Sequence, residues 1–298
     1  MIIYEQAHSK INLSLDITGK RPNGYHDVRM IMQSLALCDD LQFEEIEEGR
    51  GIALITDNEM LNEEQNNGTD NLIIKAARLL EAETNRKFNV KITLSKYIPI
   101  AAGMAGGSAD AAATLRGLNR LFSLGLNYDE LRQMAVKIGA DVPFCIEGGL
   151  CFAEGIGEVL TPLTPLPSFP TVICKPNVFV STKDVYTAFD ALENHEHPDV
   201  DKMLSAIEKY DGMEVAKLLK NILEPVTVSM HPVIKEIEKD MLELNAVNAI
   251  MTGSGPTVFG LFTSIKDADV AAMKLKGKYK DFDVESTLFK KTVPERFK

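Results

Sequence analysis

Tryptophan is absent from the 298 residues, aromatic side chains make up only 7% of them, and cysteine occurs four times. Cys38, Cys145, Cys151 and Cys174 form no C-x-x-C pair and no Cys/His cluster. That argues against a disulfide scaffold and a structural metal site, and the expectation is buried thiols in a reducing compartment. Positive charge is scarce too: 32 Lys and Arg against 43 Asp and Glu leave a formal net charge of −11. Such a balance speaks against broad nucleic-acid binding and against an anionic membrane surface. A phosphorylated ligand stays open, because a site needs only local positive potential. The start does not read as a secretory signal, since Glu5, His8 and Lys10 interrupt it, and a cytoplasmic protein is expected. The one long uncharged stretch, Leu244 to Ile265, approaches membrane-spanning length. Gly253, Gly255, Pro256 and Gly260 break it, so it reads as strand, loop and strand.

What is present is an ordinary globular composition, 45% hydrophobic and 25% charged. At about 150 residues per domain the length suggests two domains. The proline-rich stretch with Pro162, Pro165, Pro167 and Pro170 is the best boundary, giving 1–163 and 164–298.

The most informative stretch is Pro99-Ile100-Ala101-Ala102-Gly103-Met104-Ala105-Gly106-Gly107-Ser108-Ala109. An alternating strand, Phe88 to Ser95, runs into it, and an alanine-rich segment of helical character runs out of it. Bare backbone N–H groups and the positive end of a helix dipole can close there on an anion such as phosphate. A tight turn with small residues chosen for packing is the other reading, since this is neither a G-x-x-x-x-G-K-[ST] loop nor a clean G-x-G-x-x-G. The helix is expected to begin near Ser108, whose hydroxyl could cap it or meet a metal-bound phosphate. Asp110 then falls in the first turn, either favouring the dipole or sitting beside Mg²⁺.

Lys10 to Ile17 alternates as a half-buried strand, with Lys10, Asn12, Ser14 and Asp16 on one face. Lys10 and Asn12 thus point the same way, about 7 Å apart. The turn Arg21-Pro22-Asn23-Gly24 delivers Tyr25 and His26 into a second strand, near Val28 to Leu37. Those two rings either clamp a flat ligand or are ordinary hairpin-end residues. Asp70 or Asn71 starts a helix. Asn127 and Glu130 make a capping box for another, which ends at Gly139. Asp141 follows, a lone carboxylate between apolar neighbours, either the cap of a short turn or a functional group. Later come a strand at Thr171–Lys175, a helix from Ser181 or Thr182 to Leu192 carrying Tyr186, and helices near Val200–Tyr210 and Met213–Ile222. A helix from Pro232 to Leu244, strands on either side of Thr252–Thr257, a helix near Lys266–Leu275 and a strand near Asp283–Phe289 complete the chain. His195 and His197 lack a third ligand nearby and read as surface loop.

Lys10-Ile-Asn12-Leu, the Pro99 to Ser108 loop and Gly253-Ser254-Gly255 together resemble the three motifs of the GHMP kinases, a family of small-molecule kinases. The likeness covers essentially the whole chain. It implies an α+β, two-domain GHMP kinase fold, with an N-terminal domain like ribosomal protein S5 domain 2 and a ferredoxin-like C-terminal domain. It implies ATP and Mg²⁺, with Lys10 and Asp141 as the catalytic pair, Pro99 to Ala109 as the ATP-phosphate loop, and Ser108 as a metal or phosphate contact. Gly24-Tyr25-His26 and Gly139-Ala-Asp141-Val-Pro143 look like the member that phosphorylates a cytidyl diphosphate-linked methylerythritol. By that resemblance Tyr25 and His26 recognise cytosine, Tyr186 closes the other side of the ring, and Asn12 and Thr182 meet the erythritol end. A monomer or homodimer is expected. Two departures stand out: Ala105 and Ala109 occupy positions where a glycine and a serine are frequent, and the last motif reads Gly-Ser-Gly-Pro.

Overall fold

The computed structural model describes residues 1–58, 61, 71–192 and 194–290. The chain opens with two long strands, β1 (Ile2–Lys20) and β2 (His26–Glu45), paired antiparallel along their length. The turn expected at Arg21–Gly24 joins them, with Gly24 at φ 87°, a conformation that costs glycine nothing. Both strands run longer than alternation alone suggests. The polar face of β1 is not half-exposed: Lys10, Asn12, Ser14 and Asp16 are all buried. Register shifts between His8 and Lys10 and between Asn12 and Ser14 bend the strand where its polar residues turn inward.

Strand β3 (Ile52–Thr56), helix α1 (Leu72–Thr84) and strand β4 (Val90–Ser95) follow. Asn71 caps α1, its side chain accepting from the Ile73 N–H, whereas Asp70 lies outside the described residues. Helix α2 (Gly106–Leu121) is buried nearly all round. Its small residues permit this: a Cβ on Gly117 would lie 2.4 Å from the Phe43 ring. Helix α3 (Tyr128–Val136) has the expected Asn127/Glu130 capping box, and α4 (Val142–Glu147) leads into the hairpin of β5 (Leu150–Glu154) and β6 (Val159–Pro162). The first sheet has the order β3-β4-β2-β1, with β5 also paired to β2.

The second sheet takes β7 (Pro170–Lys175), β9 (Asn248–Met251), β10 (Val258–Leu261) and β11 (Asp283–Leu288). Their order is β11-β7-β10-β9, antiparallel throughout. Counted within this sheet that is 4-1-3-2, the ferredoxin-like arrangement the resemblance implies. Between β7 and β9 lie α5 (Thr182–Asp190), α6 (Val200–Glu208), α7 (Gly212–Lys217), α8 (Glu224–Met230) and α9 (Val233–Glu243). Helix α10 (Ile265–Lys278) precedes β11. The uncharged Leu244–Ile265 stretch is indeed strand, turn and strand. No helix among the described residues is long and apolar enough to cross a membrane.

The helix expected over Met213–Ile222 is shorter. It stops at Lys217, and Lys220–Asn221 form β8, pairing in parallel with Ser14 and Leu15 of β1. Asn221 explains the exchange, because its Nδ2 donates to the carbonyls of Met251 and Gly253 and ties first sheet, second sheet and glycine turn together. Apolar side chains of both sheets share one core, in which Ile11, Leu13, Ile31 and Leu35 pack with Ile173, Ile250 and Phe259. Two of the cysteines, Cys151 and Cys174, are buried; Cys38 and Cys145 are half-buried, and all four are free thiols.

Candidate active site

Two glycine turns meet backbone to backbone. A Cβ on Gly103 would lie 2.8 Å from the Thr252 carbonyl oxygen and 2.9 Å from that of Gly255, and one on Gly253 would lie 3.0 Å from the Gly103 oxygen. Strand β1 runs past both: the Lys10 N–H donates to the Met104 carbonyl at 3.1 Å, and the Asn12 N–H donates to Thr252 Oγ1 at 3.0 Å. The loop from Pro99 to Ala105 is thereby pinned at both its sides. Within it Ala101, Gly103 and Ala105 have φ of 51°, 70° and 57°. Left-handed backbone costs an alanine about 1–2 kcal/mol, so two such alanines in one loop mark a conformation held by its surroundings.

Helix α2 starts two residues earlier than expected. Ala105 occupies the cap position without any side-chain hydrogen bond, and Ser108 does not cap. The N–H groups of Gly106, Gly107 and Ser108 fall in the first helical turn, where no intrahelical carbonyl reaches them. Asp110 is displaced from the first turn accordingly. Its Oδ2 accepts instead from Lys96 Nζ at 2.7 Å, while Lys96 also donates to Asp39 Oδ2 at 2.5 Å. The dipole explanation of Asp110 therefore fails. Asp39 is further held by the N–H groups of Tyr97 and Ile98, at 2.6 and 2.8 Å. Asp110 Oδ1, by contrast, is buried without a partner among the described residues. Burial lifts the Asp110 carboxyl to about 7, Lys96 pulling it down and the Asp39 charge pushing it up. Lys96 is raised despite its burial, because two carboxylates face it.

A cleft of about 570 Å³ opens over this ground. Lys10, Asn12, Lys96, Ser108, Asp110, Asp141, Thr182, Tyr186 and Ser254 line it, together with the backbone of residues 99–103 and 105–107. Met104 and Ala109 do not: both are buried beneath the loop. Lys10 Nζ donates to Asn12 Oδ1 at 2.8 Å and stands 3.6 Å from Asp141 Oδ2. The shared strand face of Lys10 and Asn12 is thus real. Asp141 occupies the cap position of α4 but makes no capping hydrogen bond with its side chain. Its carboxylate, 34% exposed, faces the cleft beside Lys10 rather than serving the helix.

At another wall, Ser181 caps α5 and places Thr182 and Tyr186 on the cleft. Thr182 Oγ1 lies 2.9 Å from Ser254 Oγ, joining the helix to the second glycine turn. Burial, then the nearby Asp141 charge, push the Tyr186 phenol up to about 12. Its ring lies 4.8 Å from that of His26, which does not itself line the cleft. Tyr25 is also off the lining and is 57% exposed. His195 stacks on Phe189 and His197 pairs with Asp16 at 2.7 Å, and among the described residues no group of three or more His, Cys, Asp or Glu could hold a metal.

Sequence reasoning passed over Asp39 and Lys96, and met Thr252 and Ser254 only as members of the second glycine turn. Lys96 carried a faint signal, a lone cation at the end of a strand and immediately ahead of the glycine loop.

A cleft built on N–H groups at a helix start, with a lysine–carboxylate pair inside it, suits a phosphorylated ligand. Family models agree: "GHMP kinases N terminal domain" matches residues 71–149 and "GHMP kinases C terminal" matches residues 203–281. The chain belongs to the GHMP kinase family and is a small-molecule kinase, for which ATP is the expected phosphoryl donor. A relative from Lachnoclostridium phytofermentans, named 4-diphosphocytidyl-2-C-methyl-D-erythritol kinase, is 47% identical over 92% of this chain and 93% of its own. One of the same name from Clostridium perfringens (strain 13 / Type A) is 44% identical over 95% of this chain and 96% of its own. A solved 4-(cytidine 5'-diphospho)-2C-methyl-D-erythritol kinase superposes with TM-score 0.79 at 29% identity, covering 96% of this chain and 99% of the other. L. major mevalonate kinase, at TM-score 0.77, 16% identity and coverage of 98% and 97%, shares the fold.

Proposed function

We propose that the chain transfers the γ-phosphate of ATP to the 2-hydroxyl of 4-diphosphocytidyl-2-C-methyl-D-erythritol, in the non-mevalonate route to isoprenoid precursors. The observation that carries this is the Lys10–Asp141 pair, 3.6 Å apart in the same cleft as the helix-start amides, with the Tyr186–His26 ring pair at its edge. The relatives' common name selects the substrate among family members.

Phosphoryl transfer of this kind is mostly positioning and charge neutralisation. The N–H groups of Gly106, Gly107 and Ser108 hold the triphosphate oxygens at the positive end of α2. Lys10, fixed by Asn12, puts its ammonium between the γ-phosphate and the acceptor oxygen. Asp141 accepts a hydrogen bond from the substrate hydroxyl and takes its proton; no helix-capping duty competes for that carboxylate. Asn12 and Thr182 contact the erythritol end, and Tyr25, His26 and Tyr186 receive the cytosine. A loose transition state asks little basicity of Asp141, so orientation does most of its work.

The residues present fit Mg²⁺. Ser108 Oγ and the unpartnered Asp110 Oδ1 are hard oxygen donors on the cleft, and Mg²⁺ with a nucleotide needs only one or two protein oxygens. When bound it screens the triphosphate charge. With this reading go a division of the chain near 163/164, a cytoplasmic location, and a monomer or homodimer.

The test offers purified protein and Mg-ATP the cytidyl substrate, homoserine and mevalonate in turn and follows ADP release. Release with the cytidyl substrate alone is expected. Release only with homoserine or mevalonate would reassign the kinase, and release with none would refute the transfer.

A further inference from the structure

His26 carries more than its ring contact. Its Nε2 lies 2.7 Å from Asp190 Oδ1, near the end of α5, across the boundary between the two halves of the chain. The other oxygen of the same carboxylate, Oδ2, accepts from Lys20 Nζ at 2.6 Å. His26 is buried, and Asp190 is 27% exposed in its side chain. Desolvation would raise the Asp190 carboxyl, but the hydrogen bonds from Lys20 and His26 outweigh it and hold the group below its usual value. An ionised carboxylate only accepts, so the proton in this contact belongs to His26 Nε2. With Nε2 committed, Nδ1 is the ring nitrogen left without a protein partner among the described residues.

Lys20 and His26 stand at the two ends of the first hairpin turn and are paired across the ladder, while Asp190 comes from the helix that also carries Tyr186. One carboxylate thus fixes the ring on two counts: its tautomer, through Nε2–H, and its tilt of 40° against Tyr186. Histidines that must present one nitrogen commonly have the other held by a carboxylate in this way.

We propose that Asp190 is a positioning residue for base recognition, which holds His26 in the Nε2–H form so that Nδ1 is the nitrogen offered to the pyrimidine of the substrate. Lys20 serves the same end by orienting and keeping ionised the carboxylate. The inference rests on the cytidyl-substrate reading above, and it assigns the specificity of the ring site to a side chain outside every motif the sequence displays.

The experiment pairs kinetics with the tautomer itself. Wild type, Asp190→Ala and Asp190→Glu are compared for KM and kcat with each substrate, and His26 is observed by its ring nitrogen signals in ¹⁵N-labelled protein, assigned with His26→Gln. In wild type Nε2 is expected to carry the proton. In Asp190→Ala the signals move toward a mixture of tautomers, KM for the cytidyl substrate rises about tenfold or more, as for other lost hydrogen bonds to a charged group, and KM for ATP and kcat stay within about threefold. Asp190→Glu recovers part of the loss. Unchanged His26 signals and an unchanged KM in Asp190→Ala would overturn the proposal, as would a parallel loss of kcat and of ATP binding, which marks a merely structural role. The two readings fail separately. Wild-type protein inactive on the cytidyl substrate sinks the reaction and with it the base recognition, while a wild-type His26 protonated only at Nδ1 sinks the Asp190 proposal with the reaction intact.

Discussion

Replacing Asp110 with asparagine should stabilise the protein at alkaline pH while damaging catalysis. Asp110 shares Lys96 with Asp39, and the sharing is unequal. Asp39 has Lys96 and two backbone N–H groups; Asp110 has Lys96 and a neighbour, Asp39, that favours its protonated form, and its Oδ1 has no partner among the described residues. Burial lifts the Asp110 carboxyl from 3.8 to about 7, so the folded chain disfavours its ionised form. The sign follows from where the proton sits. Below about pH 4 both folded and unfolded chains hold it, and the residue exacts no penalty. Between about 4 and 7 the unfolded chain has released it and the folded one has not, so folding binds a proton and stability falls as pH rises. Above about 7 the whole penalty is present. An asparagine can keep its oxygen on Lys96 without the charge that burial disfavours. Urea unfolding from pH 4 to pH 8 is expected to show wild type losing stability relative to Asp110→Asn across that window, the variant ending ahead at pH 8. On the proposed reading, in which Asp110 Oδ1 is a Mg²⁺ donor, the same variant should need more Mg²⁺ and turn over more slowly. Parallel stability curves, or a variant weaker than wild type at pH 8, would refute the account of the Lys96 cluster.

Asp141→Asn and Lys10→Met are each expected to lower kcat by about 10²–10⁴, the usual worth of a positioned proton acceptor or its charged partner. For Asp141→Asn the circular dichroism and unfolding midpoint should hold, since that side chain caps nothing; near-native turnover would remove it from the mechanism. Gly103→Ala puts a Cβ 2.8 Å from the Thr252 carbonyl at φ 70°. Separation of the two glycine turns should raise the Kd for ATP, measured by calorimetry, more than it changes the KM for the cytidyl substrate. Gly117→Ala forces a methyl into the Phe43 ring and should cost about 1–3 kcal/mol of stability while leaving both KM values alone, which separates core damage from site damage.

The parts of this site that sequence displays are those whose chemistry is local. A glycine run between a strand and an alanine-rich helix announces exposed N–H groups whatever the rest of the chain does, and Lys10 and Asn12 share a face because a strand has a period of two. Where the helix starts was less legible. Ser108 is the better cap by propensity, yet Ala105 takes the position, because the Lys10–Met104 hydrogen bond and the contact of Gly103 with the second glycine turn fix the loop in a left-handed shape that propensity disfavours. The strand at Lys220–Asn221 was invisible for a similar reason: two residues show no periodicity, and they become a strand only because Asn221 finds the carbonyls of Met251 and Gly253. The charged clusters were least legible of all. Lys96 and Asp39 are 57 residues apart, and His26 and Asp190 are 164 apart. Asp39, Lys96 and Asp190 each alone look like ordinary surface charge. Only the fold, by carrying α5 back against the first hairpin and α2 beneath the end of β4, brings those charges into contact with one another and, in the case of Asp190, with His26.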